Sequence, residues 1–369
     1  LAACNGSQPA YSLDQQIAGC NAIVALPDAS LPLMAAAYNN RGMAYAAKRE
    51  LAKAIADYDQ AIRLQPANAR YWSNRGLARR LDGRPDLAVG DLTEALRLDP
   101  SSAAAYESRG LAFEALAQNT KAMADFGQAI SLKPDHAAYY FDRGRVEAAS
   151  GGFAGAIADF NQVIKLQPAN AAAVASRAQV YQAQGDTARA LADYDLAIKM
   201  SPNDLTLLVN RGAAKAAGGQ LPAAVEDYTA ALKRDPVNTA ARFNRGMAYL
   251  SLAKADLALA DFDALAGAQP TFAPAFYNRG RAHLALGDHA AAAKDFDEAI
   301  RVHPDYPLAL DARGVEKMAQ GAPAQALPDF DRAIQLEPNF AQAYLHRAAA
   351  RKANGDSAGA DADHAAVLR

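Results

Sequence analysis

Residues 35–68 read AAAYNNRGMAYAAKRELAKAIADYDQAIRLQPAN, and the marks in this stretch return along the chain at intervals of 34 residues or a multiple of it. Arg41-Gly42 reappears as Arg75-Gly76, Arg109-Gly110, Arg143-Gly144, Arg211-Gly212, Arg245-Gly246, Arg279-Gly280 and Arg313-Gly314, with Arg177-Ala178 and Arg347-Ala348 filling the two gaps. Counted from residue 35, the chain divides into ten units in which the seventh place is always Arg, the twentieth always Ala (Ala54 to Ala360) and the twenty-third always Asp (Asp57 to Asp363). The twenty-fourth place is aromatic in most units (Tyr58, Phe126, Phe160, Tyr194, Tyr228, Phe262, Phe296, Phe330), and Pro closes each full unit from Pro66 to Pro338. A fixed period decides the architecture before composition is weighed.

Within each unit, apolar residues follow a helical spacing twice, interrupted near the fifteenth place by Gly in seven units, Gly83 to Gly355. Each unit therefore reads as helix, turn, helix. Glycine suits the left-handed residue that ends a helix, and the terminal Pro cannot continue one. Gly at the eighth place and Ala at the twentieth let two helix axes approach to about 8 Å, with the aromatic residue filling the space beside them.

Composition agrees with a globular chain. Lys and Arg number 38 against 40 Asp and Glu, a net charge of −2, with 51% hydrophobic residues, which excludes disorder and polyelectrolytes. No apolar run approaches the roughly 18 residues of a membrane span, and no basic excess supplies a nucleic-acid footprint.

These marks resemble the tetratricopeptide repeat, whose pattern combines a Trp, Leu-Gly and Tyr in the first helix with Ala, Phe and Pro in the second. Trp72, Gly76 and Ala88 illustrate the match. The sequence departs from it in having Arg at every seventh place and, at the eleventh, charged or polar residues in six units (Arg79, Glu147, Lys215, His283, Lys317, Arg351). The resemblance implies an all-α fold: a right-handed superhelical solenoid of ten helix-turn-helix repeats over residues 35–369, with first helices on the concave face, preceded by an N-terminal half-repeat cap in residues 1–34. The recurring Arg and Asp are expected to form an ion-pair ladder between helices or across repeats. Pro328, inside a second helix, is expected to kink it and to speed amide exchange around residues 324–332.

In the cap, residues 12–26 read as a helix and residues 28–33 as a Pro-containing linker. Cys4 and Cys20, the only cysteines, both lie there. Two readings stand: a disulfide in an oxidising compartment, making the protein periplasmic or secreted, or two free thiols in a cytoplasmic protein. Leu1-Ala2-Ala3-Cys4 also looks like a bacterial lipoprotein box, although a lipidated chain would begin at the cysteine. The cap together with Asn-Arg-Gly repeats resembles periplasmic or secreted bacterial repeat proteins.

The six histidines form no metal-ligand spacing, and there is no phosphate loop, dinucleotide fingerprint or nucleophile elbow. The sequence is therefore read as a non-enzyme with no cofactor and no metal. The resemblance instead points to a groove for a protein or peptide partner. The sixth place holds Asn40, Asn74, Asn210, Asn244 and Asn278, and an Asn there resembles the asparagine ladder of the O-linked N-acetylglucosamine transferase repeats, which grips an extended backbone. A carboxamide can donate to and accept from one peptide unit without reading its side chain. Beside this row, Val209, Phe243 and Tyr277 at the fifth place and Met247 at the ninth offer apolar walls. The competing reading is that the asparagines pack within their own repeats and the aromatic residues fill the seams. A chaperone-tail clamp is rejected, since no unit has the Lys and Asn it requires. The alternatives to a binding scaffold are a protein that self-assembles head to tail into oligomers or filaments, and the targeting module of a larger enzyme.

Overall fold

The computed structural model describes residues 2–5 and 11–368 and divides the chain into two compact units, residues 1–200 and 201–369. Among the described residues every regular element is a helix. In the N-terminal unit, α1 (Ala2–Asn5) and α2 (Leu13–Val24) precede five pairs: α3 (Leu31–Ala47) with α4 (Leu51–Leu64), α5 (Ala69–Leu81) with α6 (Pro85–Leu98), α7 (Ala103–Ala115) with α8 (Asn119–Leu132), α9 (Ala137–Ala149) with α10 (Phe153–Leu166), and α11 (Ala171–Ala183) with α12 (Thr187–Met200). The C-terminal unit contains α13 (Leu205–Ala217) with α14 (Leu221–Arg234), α15 (Thr239–Ser251) with α16 (Ala255–Ala268), α17 (Ala273–Ala285) with α18 (His289–Val302), α19 (Pro307–Ala319) with α20 (Pro323–Leu336), and α21 (Ala341–Ala353) with α22 (Ser357–Val367). Inside each unit the pairs stack in sequence, an all-α solenoid in which each pair buries the apolar face its neighbour leaves open.

Local chemistry explains the boundaries. Asn68, Ser102, Asn170, Asp204 and Asn238, just after the closing Pro of the preceding repeat, cap the next helix by accepting a backbone N–H in its first turn. The seven turn glycines have φ between +75° and +85°. The three repeats without that glycine hold Arg49, Ala117 and Ala253 in the same left-handed region, at φ 61°, 56° and 56°. Helix pairing then depends on the eighth place, where a Cβ on Gly314 would lie 2.5 Å from the Phe330 ring. Phe330 and its counterparts Phe126, Phe262 and Phe296 are wholly buried, and each contributes about 2–3 kcal/mol by leaving water.

The Arg–Asp ladder joins helices in two directions. In every pair from Arg41–Asp57 to Arg347–Asp363, the arginine of the first helix binds the buried aspartate of the second. Its remaining nitrogen often reaches back to the twenty-fifth place of the preceding repeat, as Arg75 does to Asp59 and Arg279 to Asp263. Hydrogen bonding to Asp125 keeps the Arg109 guanidinium above its ordinary range.

The N-terminal segment differs from the sequence reading in its linker. Ser12 and Gln15 form a reciprocal capping box that starts α2, but α3 begins at Leu31, so the connection stops at Ser30. Pro32 does not exclude helix there because it stands in the first turn, where no intrahelical N–H bond is lost. A disulfide joins Cys4 of α1 to Cys20 of α2. Pro328 lies within α20, which spans Pro323–Leu336.

Candidate functional site

The asparagines of the sixth place have separate fates. In the N-terminal unit Asn40 donates to Asn5 of α1 at 3.1 Å and accepts from Asn39, while Asn74 donates to Asn39 at 2.7 Å. These two carboxamides belong to an internal network centred on the buried Asn39. In the C-terminal unit Asn278 is only 4% exposed. It turns inward, donating to the Pro274 carbonyl and accepting from Arg281, both at 2.9 Å. Asn210 and Asn244 differ from the other three: among the described residues neither carboxamide makes a side-chain hydrogen bond.

The fifth-place residues lie in the seams. Val209 is buried with Tyr228 and Leu232. Phe243 packs edge-on against Phe262 and Phe272, with ring centroids 5.9 and 5.7 Å apart. Tyr277 packs against Phe296 and Tyr306, and burial raises its phenol pKa above the ordinary value. These three side chains therefore pack between helices, with Phe243 and Tyr277 partly buried. Stacked aromatic residues lose more exposed apolar surface in a seam than on an open wall.

Asn244 and Met247 come together at a cavity of about 310 Å³ between α13 and α15. Ala213 and Ala216 of α13 form one side, and Leu221 with Tyr228 of α14 forms the floor. Asn244, Met247 and Ser251 of α15 complete the other side. Burial pushes the Tyr228 phenol up to about 12, so at neutral pH the floor carries no charge. Among the described residues no charged side chain lines this cavity. The residues the sequence reading missed here are the alanines. Ala216 occupies the twelfth place, where Leu250 and Leu284 stand in the next two repeats, and that substitution leaves the space open.

The N-terminal unit has a cavity of about 360 Å³ in the same register, between α9 and α11 over the floor of α10. Ala148 holds the twelfth place there. Nearby on this face, Asp142 lies among Arg145, Glu107, Glu114 and Arg80, and burial pushes its carboxyl up to about 6. Among the described residues no group of His, Cys, Asp and Glu is disposed to hold a metal ion, and no helix is long and apolar enough to cross a membrane.

Tetratricopeptide repeat models match residues 35–68 and 273–306, and a second such model matches residues 73–137, 108–161, 141–204 and 209–273, together well over half of the chain. The chain belongs to the tetratricopeptide repeat family. Proteins of this family bind protein or peptide partners. Among solved structures, yeast Tom70 is similar over 95% of this chain and 87% of its own, with a TM-score of 0.53 and 16% identity. A tetratricopeptide repeat protein from Parabacteroides merdae is similar over 76% of this chain and 97% of its own, at TM-score 0.51 and 18% identity. The Cut9–Hcn1 structure from the APC/C is similar over 88% of this chain and 77% of the matched one, at TM-score 0.51 and 14% identity. At these identities the likeness is one of fold. A search of curated proteins found no match.

Proposed function

We propose that this tetratricopeptide repeat chain is a non-enzymatic scaffold that holds an extended segment of a protein partner along its first-helix face, anchored at the cavity between α13 and α15. One observation carries the reading: Asn244, whose carboxamide makes no side-chain hydrogen bond among the described residues, lines a neutral cavity together with Met247. A carboxamide there can hold one peptide unit by donating and accepting, while the cavity takes an uncharged apolar side chain of the same segment. Asn210 supplies a second free carboxamide one repeat earlier. We further place the protein in the periplasm or outside the cell, because a disulfide such as Cys4–Cys20 persists in oxidising compartments.

The test is co-purification from native extract with the intact chain, an Asn210→Ala/Asn244→Ala variant and an Ala216→Leu variant. Leu at this place is already accommodated at Leu250 and Leu284, so it fills the cavity within a tolerated pattern. A bound protein lost from both variants is the expected result. Retention of the same partner in both, or capture of nothing but further copies of the chain, overturns the assignment to this face.

A further inference from the structure

The cavity between α9 and α11 is made by the same repeat places as the one between α13 and α15, but its rim is chemically different. Ala148, Phe153, Phe160 and Val180 give it an apolar lining, while Arg145, Ser176 and Gln179 supply the polar part, Arg145 and Gln179 being exposed to solvent. At about 360 Å³ it lies at the small end of the range for ligand sites, with room for an aromatic side chain. Ser176 and Gln179 make no side-chain hydrogen bond to the protein among the described residues. Arg145 uses one nitrogen, Nη2, on both oxygens of Glu114 at 2.9 Å, which leaves Nη1 available to donate.

Charge narrows the occupant. The Arg145 cation is already balanced by Glu114, and Asp142 stands 3.9 Å from its Nε. An incoming carboxylate would meet these two acids, and an incoming ammonium would meet the guanidinium. A neutral aromatic ring with a hydroxyl at its tip satisfies both parts: the ring covers Phe153, Phe160 and Val180, and the phenol oxygen accepts from Arg145 while its proton goes to Ser176 or Gln179.

We propose that this slot is a separate side-chain site that takes a tyrosine of a bound protein segment. It rests on the reading of the first-helix face as the binding face, but it uses none of the asparagines and a different helix pair. The slot exists because Ala148 replaces the larger residue found at the twelfth place in Glu114, Leu250 and Leu284.

The experiment uses the purified full chain with labelled Ala and Val methyl groups, titrated with N-acetyl-tyrosinamide and, separately, N-acetyl-phenylalaninamide. The expected result is a saturable shift of the Val180 and Ala148 methyls by the tyrosine probe below about 10 mM, at least about fivefold tighter than the phenylalanine probe. Ala148→Leu should abolish the shift of Val180. Gln179→Leu, a residue already present at the same place as Leu77 and Leu111, should erase the preference for tyrosine while leaving phenylalanine binding. No saturable shift, equal affinity for the two probes, or binding that survives Ala148→Leu overturns the proposal. Because no partner is needed, this titration and the partner capture from extract can each fail without the other.

Discussion

Arg245 grips Asp261 side-on, Nε to Oδ2 at 2.9 Å and Nη2 to Oδ1 at 2.7 Å, and its third nitrogen donates to Thr229 of the preceding repeat at 3.1 Å. One guanidinium thereby joins α15 to α16 and both to α14. Asp261 is 2% exposed, and besides Arg245 only the more distant Arg242, Nη1 at 3.7 Å, stands against its charge among the described residues. Arg245→Leu should cost about 3 kcal/mol, because the buried carboxylate loses its two-point partner and keeps only Arg242 at 3.7 Å, whereas Arg245→Leu/Asp261→Leu should recover most of that loss. Hydrogen exchange across α15 and α16 with denaturant unfolding checks both; a single variant within about 0.5 kcal/mol of the parent would contradict the ladder's structural role.

Ala253 holds a left-handed conformation that glycine adopts in seven other repeats. Left-handed φ costs a residue with a Cβ about 1–2 kcal/mol, and glycine gives back part of that through its freer unfolded chain. Ala253→Gly should therefore stabilise by about 0.5–1 kcal/mol, and Gly219→Ala should destabilise by a similar amount, read as opposite shifts of the denaturation midpoint.

Glu147 occupies the eleventh place, where Lys215 and Lys317 reach the repeat's aspartate at 2.8 and 2.7 Å. Its Oε2 is buried without a hydrogen-bond partner, and burial followed by the nearby Asp159 charge raises its pKa. Glu147→Lys should stabilise by about 1–2 kcal/mol at neutral pH, since it removes an unsatisfied acceptor and supplies a second cation to Asp159. A loss of stability in the variant would refute this account.

Asp142 makes the pH dependence testable. Its folded pKa of about 6 lies above the ordinary carboxyl value, so the folded state binds the proton more tightly than the unfolded state. The resulting stabilisation is complete below about pH 4 and is lost as pH rises through 6, with Arg145 and Arg80 opposing the effect and Glu107 and Glu114 adding to it. Relative to Asp142→Asn, the parent should lose about 1–2 kcal/mol between pH 4 and 7, less than a fully enclosed carboxyl would. A pH-independent difference between the two proteins would exclude the shift.

Reduction of Cys4–Cys20 should act locally. The bridge joins cysteines 16 positions apart, for which the chain-entropy model gives about 3 kcal/mol. Faster amide exchange in α2 with unchanged protection in α13–α22 is the expected outcome; equal exchange before and after reduction would show that α2 is held by packing alone.

The order of helices was readable from residues 35–68 and their repetition, because a helix pair needs only local signals: apolar spacing, a turn glycine, a capping residue and a closing proline. The Arg and Asp of each repeat were likewise visible as a ladder, since a charge recurring at one place in every unit must serve the unit itself. The candidate site was only partly legible. Asn210 and Asn244 cannot be told in sequence from Asn74 and Asn278, yet the first two are uncommitted while the others are bonded to Asn39 and to Pro274. Nor does a phenylalanine reveal whether it faces a groove or a seam, and Phe243 found Phe262 and Phe272. The cavities depended on missing bulk at Ala148 and Ala216, whose meaning appears only when neighbouring first helices are stacked. The repeating element can be read from the chain alone, because it is set by contacts within 34 residues. Tertiary structure alone decided which polar groups remain free and where space remains, because both depend on the side chains that adjacent repeats bring to the same seam.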